Sequence, residues 1–436
     1  MSVDPKLFKQ VMAQWSSGIT IITSLADGQK QGITANSFAS VSLNPPLVSV
    51  SIDKKLFIHS IIERSGVFAA NILNAEQVKW GKLFAGFYPD IEDRFAGIEC
   101  ETSVTGSPIL PGVLGWVDCQ VRHAYEAGDH SIFVGEVLAG GIPELAPPMV
   151  YHNRAWGGFV RQLPERVHIT EMGLSLVPGL QSTQGEQTKE LREALIAAGV
   201  TRMRLGLPDL TDTTRIQAAL EQFDDIVFYA QVRNSDELEQ ARGAGLKQVE
   251  FTVSAIDSPS QKGRSDSQAD VIDPMNDLVS RAHTAGMKLR GVIEFAFGST
   301  RAKGVAASAL VETTQRYLDL GVKEMVLEDT AGLANPMQIH RILTPLLATL
   351  DIQKVALRLN NIHHLGAANA YAGLEAGITH FDTALGGSDT GILATEILVR
   401  LLTELGIETG IYEDRLLQAA EAFRTGAAVR NLRRVR

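Results

Sequence analysis

Gly32-Ile33-Thr34-Ala35-Asn36-Ser37-Phe38-Ala39-Ser40-Val41-Ser42-Leu43-Asn44-Pro45-Pro46-Leu47-Val48-Ser49-Val50-Ser51 is the most informative stretch of this chain. From Leu47 to Ile52 apolar and small polar residues alternate, the period of a strand buried on one face. Asn44-Pro45-Pro46, just before it, is turn chemistry. Working outward, short strand-like runs recur at Ile19 to Thr23, Phe68 to Leu73, Leu114 to Tyr125 and Ser131 to Ala139. Asp27-Gly28 and Gly128-Asp129 punctuate them. Helical patterns are few: the N-terminal segment, Phe57 to Glu63, and Glu76 to Phe84. Many strands with few helices predict a β-barrel with helical decoration up to about Tyr151.

From about Val167 the rhythm changes. Strand-like runs at 167–170, 202–205, 226–232, 248–253, 288–295, 324–327, 355–359 and 380–384 are each followed by a helical pattern, from Gly185 to Ala198 through to Leu393 to Leu405. Eight strand–helix units in alternation predict a closed parallel (β/α)8 barrel. Gly199, Gly245, Gly286, Gly321 and Gly377 stand before strands, where helix C-caps are expected. The polar run Arg161-Gln162-Leu163-Pro164-Glu165-Arg166 joins the halves, predicting domains at 1–162 and 163–436.

The composition bounds the function. A length of 436 residues exceeds one ordinary domain, and 45% apolar with 21% charged residues is a soluble globular balance. The net charge of −10 argues against nucleic acid as a general partner, and the basic tail of Arg430, Arg433, Arg434 and Arg436 reads as a solvated end. Cys100 and Cys119 are too few for a disulfide framework or a cysteine zinc site, which suits a reducing cytoplasm. Asp4 to Met12 reads as an amphipathic helix start rather than a signal segment, and no apolar run reaches membrane-spanning length. The expectation is a soluble, cytoplasmic protein.

Several separated blocks carry a family likeness. They are Trp15-Ser16-Ser17-Gly18-Ile19-Thr20-Ile21-Ile22-Thr23, the quoted stretch, Asn71 with Gln77, Phe84-Ala85-Gly86, Asp93-Arg94-Phe95, Gly106-Ser107-Pro108-Ile109-Leu110, and Gly128-Asp129-His130-Ser131-Ile132-Phe133-Val134-Gly135-Glu136-Val137. In this order and spacing they resemble the flavin reductase family, the small reductase components of two-component monooxygenases, with an FMN-binding split-barrel fold. The resemblance covers roughly residues 5 to 160. It implies FMN, with FAD as the alternative flavin, NADH or NADPH as co-substrate, a monooxygenase partner, and a homodimer. Thr34, Ala35, Asn36, Ser37 and Phe38 are then the ring-edge residues, because small hydroxyl and amide side chains let backbone N–H groups approach a flavin. Ser51, Lys54 and Lys55, with Arg94, are the phosphate candidates. Phe84, Ala85 and Tyr151 complete the cofactor set. By the same resemblance His130 is the catalytic candidate, facing the nicotinamide side of the flavin. Where the family often has serine or threonine, this chain has Asp53-Lys54-Lys55-Leu56-Phe57.

The second half resembles hydroxymethylglutaryl-CoA lyase and its metal-dependent relatives. The likeness rests on Ser254-Ala255-Ile256-Asp257-Ser258-Pro259-Ser260-Gln261-Lys262, Arg290-Gly291-Val292 through Phe297-Gly298, Glu328-Asp329-Thr330-Ala331-Gly332, and Gly373 to Thr383. The catalytic pattern departs from that family. Val177 and Pro178 stand where an Arg and a metal-binding Asp are expected. Arg358-Leu359-Asn360 replaces a His-x-His metal pair, and Gly386-Gly387-Ser388 lacks the loop cysteine. An arginine in such a site repels a divalent ion, so neither a lyase metal nor the lyase reaction is expected. His363-His364 reads as a surface or helix-start pair. Glu171, Arg358, Asn360 and Asp382 remain as ligand candidates at the strand ends. Arg358 either binds a carboxylate-bearing ligand or is neutralised internally by Glu328, Asp329 or Asp382.

Three functions follow as expectations: an NAD(P)H-dependent FMN reductase supplying a monooxygenase, a self-contained flavoenzyme whose substrate is held by the barrel, or a reductase fused to a silent scaffold or sensor barrel.

Overall fold

The computed structural model describes residues 3–143, 145–172, 185–205, 213–255, 274–299, 305–387 and 391–425. Val177, Pro178, residues 256–262, Ser388 and the arginine tail lie outside the described residues. The chain forms two compact units, Met1–Val160 and Arg161–Arg436.

The first unit contains α1 (Pro5–Ala13), β1 (Ser17–Gly18), β2 (Thr20–Ala26), β3 (Gln29–Ala35), β4 (Ala39–Leu43), β5 (Pro46–Asp53), α2 (Phe57–Ser65), β6 (Val67–Ile72), α3 (Val78–Phe84), β7 (Glu101–Thr102), β8 (Pro108–Ile109), β9 (Gly115–Ala127), β10 (His130–Gly141), β11 (Met149–His152) and β12 (Ala155–Gly158). Seven strands pair antiparallel in the order β3-β2-β6-β9-β10-β5-β4. This is the split barrel. The alternation read in β5 turns Val48, Val50 and Ile52 into the core, where they meet Ile22, Phe68, Phe133 and, from α2, Ile58 and Ile62. The residues between them, Ser49 and Ser51, face the other way. The N-terminal helix forms, capped by the Asp4 carboxylate on the Lys6 N–H at 3.2 Å, but none of its residues is buried.

The second unit is a closed barrel of eight parallel strands: β13 (His168–Glu171), β14 (Arg202–Leu205), β15 (Val227–Gln231), β16 (Gln248–Ser254), β17 (Lys288–Glu294), β18 (Glu324–Glu328), β19 (Val355–Arg358) and β20 (His380–Thr383). Its helices are α4 (Gly185–Ala197), α5 (Thr213–Gln222), α6 (Ser235–Gly243), α7 (Pro274–Thr284), α8 (Ala307–Asp319), α9 (Pro336–Thr349), α10 (Gly366–Ala376), α11 (Thr395–Glu404) and α12 (Glu413–Thr425). The β13–β20 pairing closes the ring with His168 opposite His380. Outward positions such as Val249, Phe251, Leu289, Met325 and Leu357 form the core beneath the helices. The five glycines read as caps all have positive φ. Gly199 shows why: φ is +96°, and a Cβ there would lie 2.2 Å from the Gly410 carbonyl oxygen. Among the described residues no helix is long and apolar enough to cross a membrane.

Candidate active site

The antiparallel register brings the flavin-candidate segments to one end of the split barrel. β10 runs beside β5 with His130 opposite Asp53 and Ile132 opposite Ser51. The Ser37 hydroxyl donates to the Ser51 carbonyl at 2.9 Å and accepts from the Ser51 N–H at 3.2 Å, so the segment after β3 is tied to β5. The Lys54 N–H donates to the Asp129 carbonyl at 3.0 Å, fixing the turn before His130 against the end of β5. Ser37, Ser51, Lys54 and His130 therefore form one neighbourhood. His130 Nδ1 lies 2.8 Å from Asp129 Oδ1, and that hydrogen bond holds the Asp129 carboxyl below its usual pKa. The Lys55 N–H donates to Asp53 Oδ1 at 2.9 Å while its side chain is exposed.

Beside this neighbourhood lies a cleft of about 600 Å³ walled by β3 (Lys30 to Ile33), by Leu56, Phe57 and Ile58 at the start of α2, and by Ile91 to Phe95. That volume suits a small-molecule site. Its cations are Lys30 and Arg94. The start of α2 adds N–H groups without intrahelical partners and the positive end of the helix dipole. Arg94 is oriented by donating through Nη1 to the Phe84 carbonyl at 3.1 Å.

Packing and hydrogen bonds place the remaining flavin candidates. Phe84 is fully buried, edge-on to Phe95 with centroids 5.1 Å apart, so its ring packs the core and its carbonyl orients Arg94. The Thr34 hydroxyl donates to the Gly81 carbonyl at 2.6 Å, which ties β3 to α3 and leaves only lone pairs for a ligand. Tyr151 sits on β11, edge-on to Trp156, and is not among the residues lining the cleft. Around Ser37, Asn36 is exposed and Ala35 and Phe38 are half-buried. Lys30 was missed. It stands two residues before Gly32 on β3, so strand alternation alone puts both on one face.

In the second unit the strand interior is ionic. Arg358 Nη2 donates to Glu250 at 2.9 Å and to Asp382 at 2.8 Å, and Nη1 donates to Glu328 at 2.9 Å. Arg290 pairs with Asp382, Glu250 and Glu324, and donates to the Tyr229 hydroxyl at 2.9 Å. Arg204 meets Glu250 at 3.1 Å and Arg202 meets Glu324 at 2.8 Å. Four arginines thus face four carboxylates. Burial penalises the Glu250 and Asp382 carboxylates, yet the arginines around them more than offset that and hold both below the usual range. Arg358 is 3% exposed, so of its two readings the arrangement supports internal neutralisation. Val292, Val326 and Ala356, on the same strand faces as the charged residues, form a small apolar layer.

The four barrel candidates do not converge. Arg358 and Asp382 touch. Glu171 is turned to the connection after β20, accepting from the Leu385 N–H at 2.8 Å and from the Thr395 hydroxyl. Asn360 Oδ1 accepts from the Ile362 N–H at 2.8 Å in its own loop. His363 and His364 are exposed in the turn before α10. Among the described residues no group of three His, Cys, Asp or Glu could hold a metal ion. Burial, with the neighbouring Glu328, raises the Glu294 pKa. At the opposite, N-terminal end of the strands His168 and His380 stack with centroids 4.9 Å apart. Burial, with Arg202 and His168 and against the pull of Glu324, lowers the His380 pKa to about 4.

Residues 12–159 match the family model described as flavin reductase like domain, and residues 180–422 match the one described as HMGL-like. The chain belongs to both families, one in each half. Its enzymatic class is flavin reductase. A flavin reductase of Pseudomonas putida is 36% identical over 159 residues, which is 36% of this chain and 92% of the relative. The reductase subunit HsaB of a flavin-dependent monooxygenase from Rhodococcus jostii is 38% identical over 157 residues, 36% of this chain and 79% of that protein. The crystal structure of Bacillus subtilis HMG-CoA lyase superposes with a TM-score of 0.54 at 24% identity, over 62% of this chain and 97% of the lyase. That likeness establishes the fold of the second half.

Proposed function

We propose that the first half reduces FMN with NADH or NADPH and passes reduced flavin to a monooxygenase. The observation that carries this reading is the hydrogen-bonded continuity from Ser37 through Ser51 and Lys54 to His130, beside a cleft carrying Lys30 and Arg94. The fit to FMN is chemical as well as spatial. A flavin phosphate needs fixed cations and N–H donors, and the cleft offers Arg94, Lys30 and the start of α2. Ser37, Ser51 and the backbone of residues 34–37 would meet the ring edge. When bound, the flavin supplies the acceptor for a hydride from the nicotinamide. The protein's work is positional: His130, braced by Asp129, orients the nicotinamide side, and the Ser37–Ser51 link keeps the ring edge in register with it.

The HsaB relative supports a monooxygenase as the partner. The exposed apolar residues Leu7, Phe8, Val11 and Met12 of α1 are consistent with a homodimer, and light scattering of the purified chain measures it. For the second half, the neutralised interior favours the silent scaffold over a carboxylate-binding site at Arg358, because that guanidinium is already paired with Glu250, Glu328 and Asp382.

The deciding experiment measures NADH and NADPH oxidation with and without added FMN, on protein whose bound flavin has been quantified. Saturable turnover of added FMN supports the proposal. Tightly held flavin with no steady oxidation in the absence of an organic substrate would favour a self-contained flavoenzyme. Failure both to retain FMN and to oxidise nicotinamide in its presence would rule out both.

A further inference from the structure

One buried polar pair of the first unit, His59 and Ser131, has no part in the chemistry above. His59, third residue of α2, places Nε2 2.8 Å from the Ser131 hydroxyl on β10. Its Nδ1 faces the Glu63 carboxylate one helical turn on, at 3.4 Å. Its ring lies against Phe133, with centroids 5.2 Å apart at 61°. The order serine, histidine, glutamate is that of a hydrolase triad. Ser131 is 5% exposed and His59 6%, however, so no acyl group reaches the hydroxyl. Nδ1 is turned to Glu63, and Nε2 shares a hydrogen bond with the Ser131 hydroxyl. This is a buried, directional tie between a helix and a strand.

The two elements it joins are those that build the site. Leu56, Phe57 and Ile58, immediately before His59, wall the cleft. His130 is the residue immediately before Ser131. We propose that His59 is a positioning residue for the reductase reaction: through Ser131 it locks the cleft wall at the start of α2 to the strand end that carries His130. The proposal rests on the reading of His130 and the cleft given above. The core apolar contacts of Ile58 and Ile62 hold α2 against the sheet but do not fix its rotation, since apolar contacts are not directional. The hydrogen bond does, and a side chain only slightly misplaced at a reacting centre loses rate.

The test uses the full chain in steady-state NADH oxidation with FMN, comparing Ser131→Ala, His59→Leu, His59→Gln, the Ser131→Ala/His59→Leu pair, and His130→Ala. Ser131→Ala and His59→Leu are each expected to lower kcat/KM for the nicotinamide by about fivefold, the worth of one buried hydrogen bond. The pair should lose no more than either single variant, because both break one tie. His59→Gln, whose amide can accept from the same hydroxyl, should return to within about twofold of the parent. A merely structural role predicts instead that the loss follows the melting temperature across the set, without rescue by Gln. Ser131→Ala keeps the question open to refutation if His59→Leu does not fold. If His130→Ala is impaired while Ser131→Ala has parental kcat and KM, the positioning proposal alone is wrong. If His130→Ala is itself fully active, the reading of His130 falls and takes the proposal with it.

Discussion

Arg290 and Asp382 meet as a fork on a carboxylate at the centre of the second unit, Nη1 to Oδ2 at 2.9 Å and Nη2 to Oδ1 at 2.5 Å. Both are fully enclosed, and Asp382 is shared with Arg358. A buried carboxylate between two guanidiniums is stable only because every charge nearby is paired. Among the described residues this barrel has a closed ionic core.

Arg358→Met should therefore act on stability. It strands Glu250, Glu328 and Asp382 with too little positive charge, and breaking such a network costs about 3–5 kcal/mol. Urea unfolding followed by tryptophan-independent far-ultraviolet signal measures the loss. A midpoint unchanged from the parent would mean that the ionic core is not under tension, and would reopen Arg358 as a ligand group.

The pH dependence of the barrel separates into two windows. The His380 pKa lies below the ordinary histidine value, at about 4. The unfolded chain then binds the proton first, so stability falls as pH drops from about 6.5 to about 4, by no more than about 3 kcal/mol. Asp382 and Glu250 are depressed, so their contribution is complete above the unfolded carboxylate range near pH 4 and is lost below it. His380→Gln should make the upper window shallower, with His168, itself lowered by burial, supplying the remainder, and leave the lower one. An identical pH profile in that variant would contradict this assignment.

Arg94→Ala should raise KM for FMN about tenfold with a smaller change in KM for the nicotinamide, since one charge-assisted contact to phosphate is lost. Arg94→Lys should recover only part of it, because an ammonium cannot reproduce the guanidinium geometry held by the Phe84 carbonyl. Steady-state kinetics with FMN varied at fixed NADH gives the answer. Equal effects on both substrates would place Arg94 outside the flavin site.

Gly199→Ala should destabilise the second unit by more than about 1 kcal/mol, because φ is +96° and the methyl group would meet the Gly410 carbonyl. Gly286→Ala, with positive φ but no atom within 4 Å of the added Cβ, should cost less. Thermal melts of the two variants test the ordering directly.

Both architectures were legible in the chain because periodicity is a local property. The alternation of Leu47 to Ile52 is the burial pattern of β5, and the glycines before the barrel strands all adopt the cap conformation their positions imply. The short β4–β5 hairpin keeps Ser37 near Ser51 locally, whereas the pairing that sets His130 opposite Asp53 joins strands far apart in sequence. What each side chain does at long range was not legible. Closure of the barrel brings Glu250 and Asp382, remote in sequence, onto Arg358, and it turns Glu171 away to Thr395. Packing of α3 buries Phe84, and packing of α2 on β10 joins His59 to Ser131. Period and turn chemistry act over a few residues, whereas the partner of a buried charge is chosen only when distant strands close around it.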